Sequence, residues 1–268
     1  MKYKNRKHAK RKYKHTLLAT VATMTLGINI LGSTTSAFAA DYVIPMEDSK
    51  TLEKSPENSQ ERTKKQDETR EYFKNKPQKT LPVLIAADKQ YRDAHSDWRE
   101  RTKELIEKGT KNFKEYYNIK YVPIQFYEWE SKGENQSDIM YEFADAYTDY
   151  IKADSKLQGS FSLVVGFTAN NNYGIAYGGT LPQAIGLDGA DSIEPIPLIT
   201  IKDVPSNNLI CSIESTIKHE LSHAYSVPDD HEGVRNSVMS SKPGVTEWSS
   251  TEMEIIRKNR DRYKNHTL

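Results

Sequence analysis

The spacing of apolar residues changes several times along this chain, and each change predicts an element. Pro82–Ala87 is a short, almost wholly apolar run, as a buried strand requires. A charged helix capped by Ser96 is predicted to run to about Tyr117, through Trp98, Leu105, Ile106 and Phe113. Tyr121–Trp129 alternates and predicts a second strand. Between Ser137 and Lys156, the residues Ile139, Phe143, Tyr147 and Ile151 recur at four-residue steps, the mark of a helix with one buried face. Phe161–Phe167 is apolar enough for a central strand, and Pro195–Ile201 predicts a further one. Asn170–Gly179 sets a short apolar segment between glycines, which suits an edge strand that a second backbone can approach; an ordinary glycine-rich hairpin has the same pattern. Ile210, Ile213, Ile217, Leu221 and Ala224 form a helical stripe. Ser249 and Glu252 then make a capping box before Met253, Ile255 and Ile256, the buried side of a last helix. Together these elements predict one α+β domain over 81–268, large enough for a core and without internal repeats.

The first 80 residues have another texture. Met1–His15 holds eight Lys or Arg and no acid, Thr16–Gly32 is an apolar run, and Ala37-Phe38-Ala39 follows. A basic start, a short apolar stretch and a small-residue site form a secretory signal peptide over 1–40. Residues 41–80 are charged and poor in large apolar groups, so they are expected to be a disordered or weakly helical linker or pro-segment. The expected product is secreted and extracellular, with no membrane association after cleavage.

Loss of 1–40 also changes the charge. The full chain has 38 Lys and Arg against 37 Asp and Glu; without the eight basic residues of the leader it carries 30 against 37, a net of −7. An acidic surface argues against a nucleic-acid partner. A lone cysteine, Cys211, excludes an intrachain disulfide and is expected to be a small buried residue. Asp188–Glu194 is acidic but lacks calcium-loop spacing, so no second metal is expected.

The candidate chemistry lies on the helix before Pro228. His219-Glu220-Leu221-Ser222-His223 is an HExxH pattern. Two histidines four apart share a helix face, with Cβ atoms about 5–6 Å apart. Both imidazoles can therefore reach one zinc ion at about 2.0–2.1 Å. Both fall away from the apolar stripe, so they can line a cleft. Glu220, beside the first ligand, can take a proton from a zinc-activated water. Pro228 ends the helix near Ser226 and turns Asp229, Asp230 and His231 back within reach of the metal. Catalytic zinc keeps three protein ligands, and one of these residues can complete the set.

HELSHAYSVPDDHEGVRNSVM resembles the zinc signature and Met-turn of the metzincin metallopeptidases, and within them is most similar to the snapalysin family of small secreted bacterial proteases. Val227-Pro228-Asp229, Gly233 and Met239 match that family's order and spacing over these 21 residues. The resemblance implies His219, His223 and Asp229 as zinc ligands, Glu220 as general base and Met239 beneath the metal. It implies a mixed twisted sheet whose edge strand pairs with an extended substrate. The family has glycine where this chain has Ser226; either Ser226 takes a left-handed conformation, at roughly 1–2 kcal/mol, or the turn is built differently. His231 is the rival third ligand, since imidazole is a common zinc ligand.

The expectation is thus a secreted, monomeric zinc endopeptidase with one catalytic Zn2+, acting on protein or peptide. Two alternatives stand beside it: a secreted binding or cell-surface protein with a purely structural zinc site, and a zinc hydrolase of non-peptide substrates.

Overall fold

In a computed structural model of the chain, residues 58–157, 159–171, 176–181, 196–203, 212–230, 236–240 and 245–263 are described. The expected signal peptide at 1–40, Cys211, His231 and Gly233 lie outside them. Helix α1 (Ser59–Lys74) leads into β1 (Lys79–Asp88), followed by three short helices, α2 (Lys89–Ala94), α3 (Trp98–Gly109) and α4 (Lys111–Tyr117). Next come β2 (Ile119–Trp129), α5 (Gln136–Ala153), β3 (Leu163–Thr168), β4 (Ala176–Leu181) and β5 (Ile196–Lys202). The HExxH helix α6 (Ile213–His223) and the closing helix α7 (Ser250–Asn259) complete the order.

The five strands form one mixed sheet in the order β2-β1-β3-β5-β4. Three pairings run parallel, from β2 through β1 and β3 to β5, and β4 runs antiparallel against β5 at the edge. This is an α+β arrangement with a parallel centre, so β1 and β3 are buried along almost their whole length. The sheet separates two apolar layers. Leu84, Ala86, Val164 and Leu198 face Ile139, Phe143 and Tyr147 of α5. Val83, Ile85, Val165, Ile199 and Ile201 face the larger layer, which holds α1, α3, α4, α6 and α7.

Glycine marks two close approaches. A Cβ on Gly166 of β3 would lie 2.6 Å from the Phe143 ring of α5. One on Gly109, at the end of α3, would lie 2.6 Å from Ile217 Cβ of α6, so Gly109 lets α3 pack directly on the HExxH helix. The same residue breaks the helix that periodicity extends to Tyr117: the structure has α3, then Thr110, then α4, because Gly favours a helix end.

The stretch 41–80 departs from its expected character. From Asn58 onward it is folded. Asn58 caps α1 by accepting from the Glu61 N–H, and α1 packs on α4 and α7. Thr69 and Phe73 are buried, with Phe73 in the main core beside the Tyr117 ring. Composition missed this because α1 docks chiefly through polar side chains.

Candidate metal centre

The local sequence builds the site in two pieces. Ser212 caps α6 by accepting from the Ser215 N–H, and Ile217 and Leu221 bury one side of the helix in the core with Ala224 beyond it. Ile210 of the expected stripe lies outside the described residues. At its C-terminus, Ser226 N–H donates to His223 O and Val227 N–H to Ser222 O. These are the 5→2 and 6→1 bonds of a Schellman motif, with Ser226 in the left-handed position at φ 65°. Ser226 therefore occupies the conformation glycine favours, held by Arg262, whose Nη1 donates to Ser226 Oγ at 2.9 Å and Ala224 O at 3.2 Å. Val227 is buried just after it, which turns the chain back along α6 and carries Asp229 over the histidines.

The second piece is the tight turn Ser237–Ser240. Ser237 Oγ donates to Glu252 Oε1 at 2.6 Å, while Glu252 Oε2 accepts from the Ser249 N–H, so one buried carboxylate serves both the turn and the cap of α7. Met239 is buried beside the segment that follows Asp229: its carbonyl accepts from the Asp230 N–H at 2.9 Å.

These pieces bring His219, His223 and Asp229 together, with one ligand atom from each within 4.8 Å of the others. His219 Nε2 is 3.2 Å and His223 Nε2 3.5 Å from Asp229 Oδ1. Each Nδ1 meets a carbonyl: His219 donates to Val238 O at 2.9 Å and His223 to Val227 O at 2.8 Å. A carbonyl only accepts, so the neutral rings carry their proton on Nδ1 and turn the Nε2 lone pair into the site. His223 Nε2 is buried and takes part in no hydrogen bond.

The field at the site favours a cation. Burial works against charge on His219, but Asp229, Glu220 and the Val238 carbonyl outweigh it and push its pKa up to about 9. The same negative groups that favour a proton on His219 favour a cation in general. Glu220 is 8% exposed, on the HExxH helix beside His219. Sequence reasoning did not find the two carbonyls or the second role of Glu252. Backbone carbonyls have no side-chain signature, and only the capping box pointed to Glu252.

Asn170–Gly179 contributes β4, an edge strand, beginning at Ala176. Helix α6 packs against both β4 and β5, so the histidine-bearing helix lies beside the sheet edge.

No protein-family model matches the sequence, and no curated protein matches it. Among solved structures, the chain is similar to one described as "Structure of a chaperone-substrate complex", at 11% identity and a TM-score of 0.46. That match covers 71% of this chain and 36% of the other, so this chain spans about a third of its length.

Proposed function

We propose that this protein is a secreted zinc endopeptidase of metzincin type, in which His219, His223 and Asp229 hold the metal and Glu220 is the general base. The observation that carries this reading is the spacing of the three ligand atoms. Two ligands each about 2.0–2.1 Å from one ion at the tetrahedral angle lie about 3.3 Å apart. The separations from Asp229 Oδ1, 3.2 and 3.5 Å, fit that value. The buried, unbonded His223 Nε2 supports it further, since an orphaned buried nitrogen is costly without a partner.

A zinc ion held by His219, His223 and Asp229 would supply Lewis acidity towards a water and the scissile carbonyl. The protein's own groups do the rest. The Val227 and Val238 carbonyls fix the two imidazoles. The Glu220 carboxylate takes the proton from the attacking water and passes it to the leaving amine nitrogen. The strand β4, at the edge of the sheet among the described residues, suits pairing with an extended peptide, and so an unfolded protein or peptide substrate. The mixed sheet, the HExxH helix and the buried Met239 turn all support kinship with the metzincins.

Glu220→Gln tests the mechanism. The variant is expected to keep its zinc and lose casein hydrolysis by about 10²–10⁴-fold, the usual contribution of a general base. Near-wild-type hydrolysis would sink the assignment. Wild-type protein that holds zinc but leaves casein intact would favour a structural site.

A further inference from the structure

We infer that α1 is a positioning element of the metal site, acting on His219 through the loop that follows the third ligand; this rests on the zinc-site reading above. A continuous set of contacts joins His219 to α1. His219 Nδ1 donates to Val238 O. The Val238 peptide is held on its other side, its N–H donating to Glu247 O at 2.7 Å. Glu247 in turn is held by three helices. Its carboxylate accepts from Gln66 Nε2 of α1 at 3.2 Å and Asn112 Nδ2 of α4 at 3.1 Å, and lies 3.7 Å from Lys218 Nζ of α6. Lys218 Nζ also donates to the neighbouring Thr246 carbonyl at 2.6 Å.

Helix α1 holds the loop at a second point. Arg62 Nη2 donates to Asn236 O at 3.0 Å, two residues before Val238. Asn236 has φ 49°, left-handed backbone that a non-glycine residue adopts at a cost. Arg62 and Gln66 are one helical turn apart and share the face that carries Thr69 and Phe73. Phe73 anchors that face in the core, so the two polar side chains reach the loop from a fixed platform.

Small shifts of Val238 matter because its carbonyl sets both the tautomer and the tilt of His219. Partners of metal-bound histidines affect affinity by about 10–100-fold. Helix α1 acts one contact further out, so an effect of about tenfold, the low end of that range, is expected. On this view α1 belongs to the working enzyme, and any maturation cleavage falls before Asn58.

The test uses the full secreted chain and reads zinc affinity, thermal unfolding without metal, and the exchange rate of the His219 Nδ1 proton by NMR. Arg62→Ala/Gln66→Ala is expected to weaken zinc binding about tenfold and speed that proton's exchange, with the metal-free melting temperature nearly unchanged. Arg62→Lys, which keeps a donor, restores most of the affinity. Lys65→Ala removes a contact of the same helix to Glu254 instead, and leaves zinc binding alone. Wild-type affinity in the double variant overturns the inference while leaving the zinc site standing. Equal loss in Lys65→Ala, in step with melting, reduces α1 to a structural support and also overturns it. Failure of the wild type to bind zinc removes both readings.

Discussion

Helices α6 and α1 both close on the large layer of the core, but by opposite means. Helix α6 is held by an apolar stripe, with Ile217, Leu221 and Ala224 buried and Gly109 giving α3 close access. Its polar side is then left for chemistry. Helix α1 buries one aromatic, Phe73, and otherwise docks by directional contacts: Arg62 to Asn236, Lys65 to Glu254, Gln66 to Glu247 and Arg70 to Glu115. Apolar burial is strong and insensitive to angle, whereas hydrogen bonds and ion pairs are individually weak but fix geometry. The first kind of packing secures the helix that carries His219 and His223. On the proposed reading, the second adjusts the loop that orients His219.

The largest effect is expected where α6 and the segment returning over it are proposed to hold the metal. Asp229→Ala is expected to lose both zinc and proteolysis, because it removes one of the three proposed ligands and leaves two half-buried imidazoles without their counter-charge. His231→Ala is expected to keep zinc. Metal content of the purified variants decides the matter, and the reverse pattern would hand the third position to His231.

A second pair of substitutions compares the two anchors. Leu221→Ala in α6 should destabilise the fold by about 2–5 kcal/mol and Phe73→Ala in α1 by about 3–5 kcal/mol, as buried truncations do. Denaturant unfolding measures both. Equal stability of wild type and Phe73→Ala would mean that α1 is a loosely held tether, as its composition alone implied.

What the sequence disclosed follows from the same contrast. Strands β1, β2, β3 and β5 and helices α5, α6 and α7 were legible because each repeats apolar residues at its own period. The HExxH spacing fixed a common helix face, and Pro228 fixed the return that brings Asp229 to the histidines. Helix α1 was not legible: its docked face carries polar residues rather than an apolar stripe, and its partners Glu247 and Asn236 lie more than 170 residues away in the chain. The break at Gly109 was missed because an apolar stripe continues across it, through Leu105, Ile106 and Phe113.

Ser226 carries backbone strain at the end of α6. In its left-handed position a serine is strained by roughly 1–2 kcal/mol relative to glycine, while glycine's extra flexibility costs about 0.5–1 kcal/mol elsewhere. Ser226→Gly also gives up the Arg262 contact to Oγ, which is exposed and weak. The net expectation is a gain of about 1 kcal/mol or less, read as a higher melting temperature of the metal-free protein. A loss of stability would show that the Arg262 contact matters more than the strain.

The smallest effect belongs to the polar docking of α1, and pH isolates it. Glu254 of α7 accepts from Arg257 in its own helix and from Lys65 of α1 at 2.8 Å. The Arg257 hydrogen bond, followed by Lys65, overcomes the opposing effect of burial and holds the Glu254 pKa at about 2, below the ordinary value of 4.5. A depressed carboxylate pKa means that the unfolded chain takes up its proton first as pH falls. The stabilisation is therefore complete above about pH 5 and disappears as pH drops toward 2. Partly exposed ion pairs contribute about 0.2–1 kcal/mol, so the whole effect lies in that range. Lys65→Ala should lower stability by a similar small amount at neutral pH, and the gap to wild type should close between pH 5 and 2. A gap that persists unchanged at pH 2 would mean that Lys65 stabilises α1 through the packing of its aliphatic stem rather than through its charge.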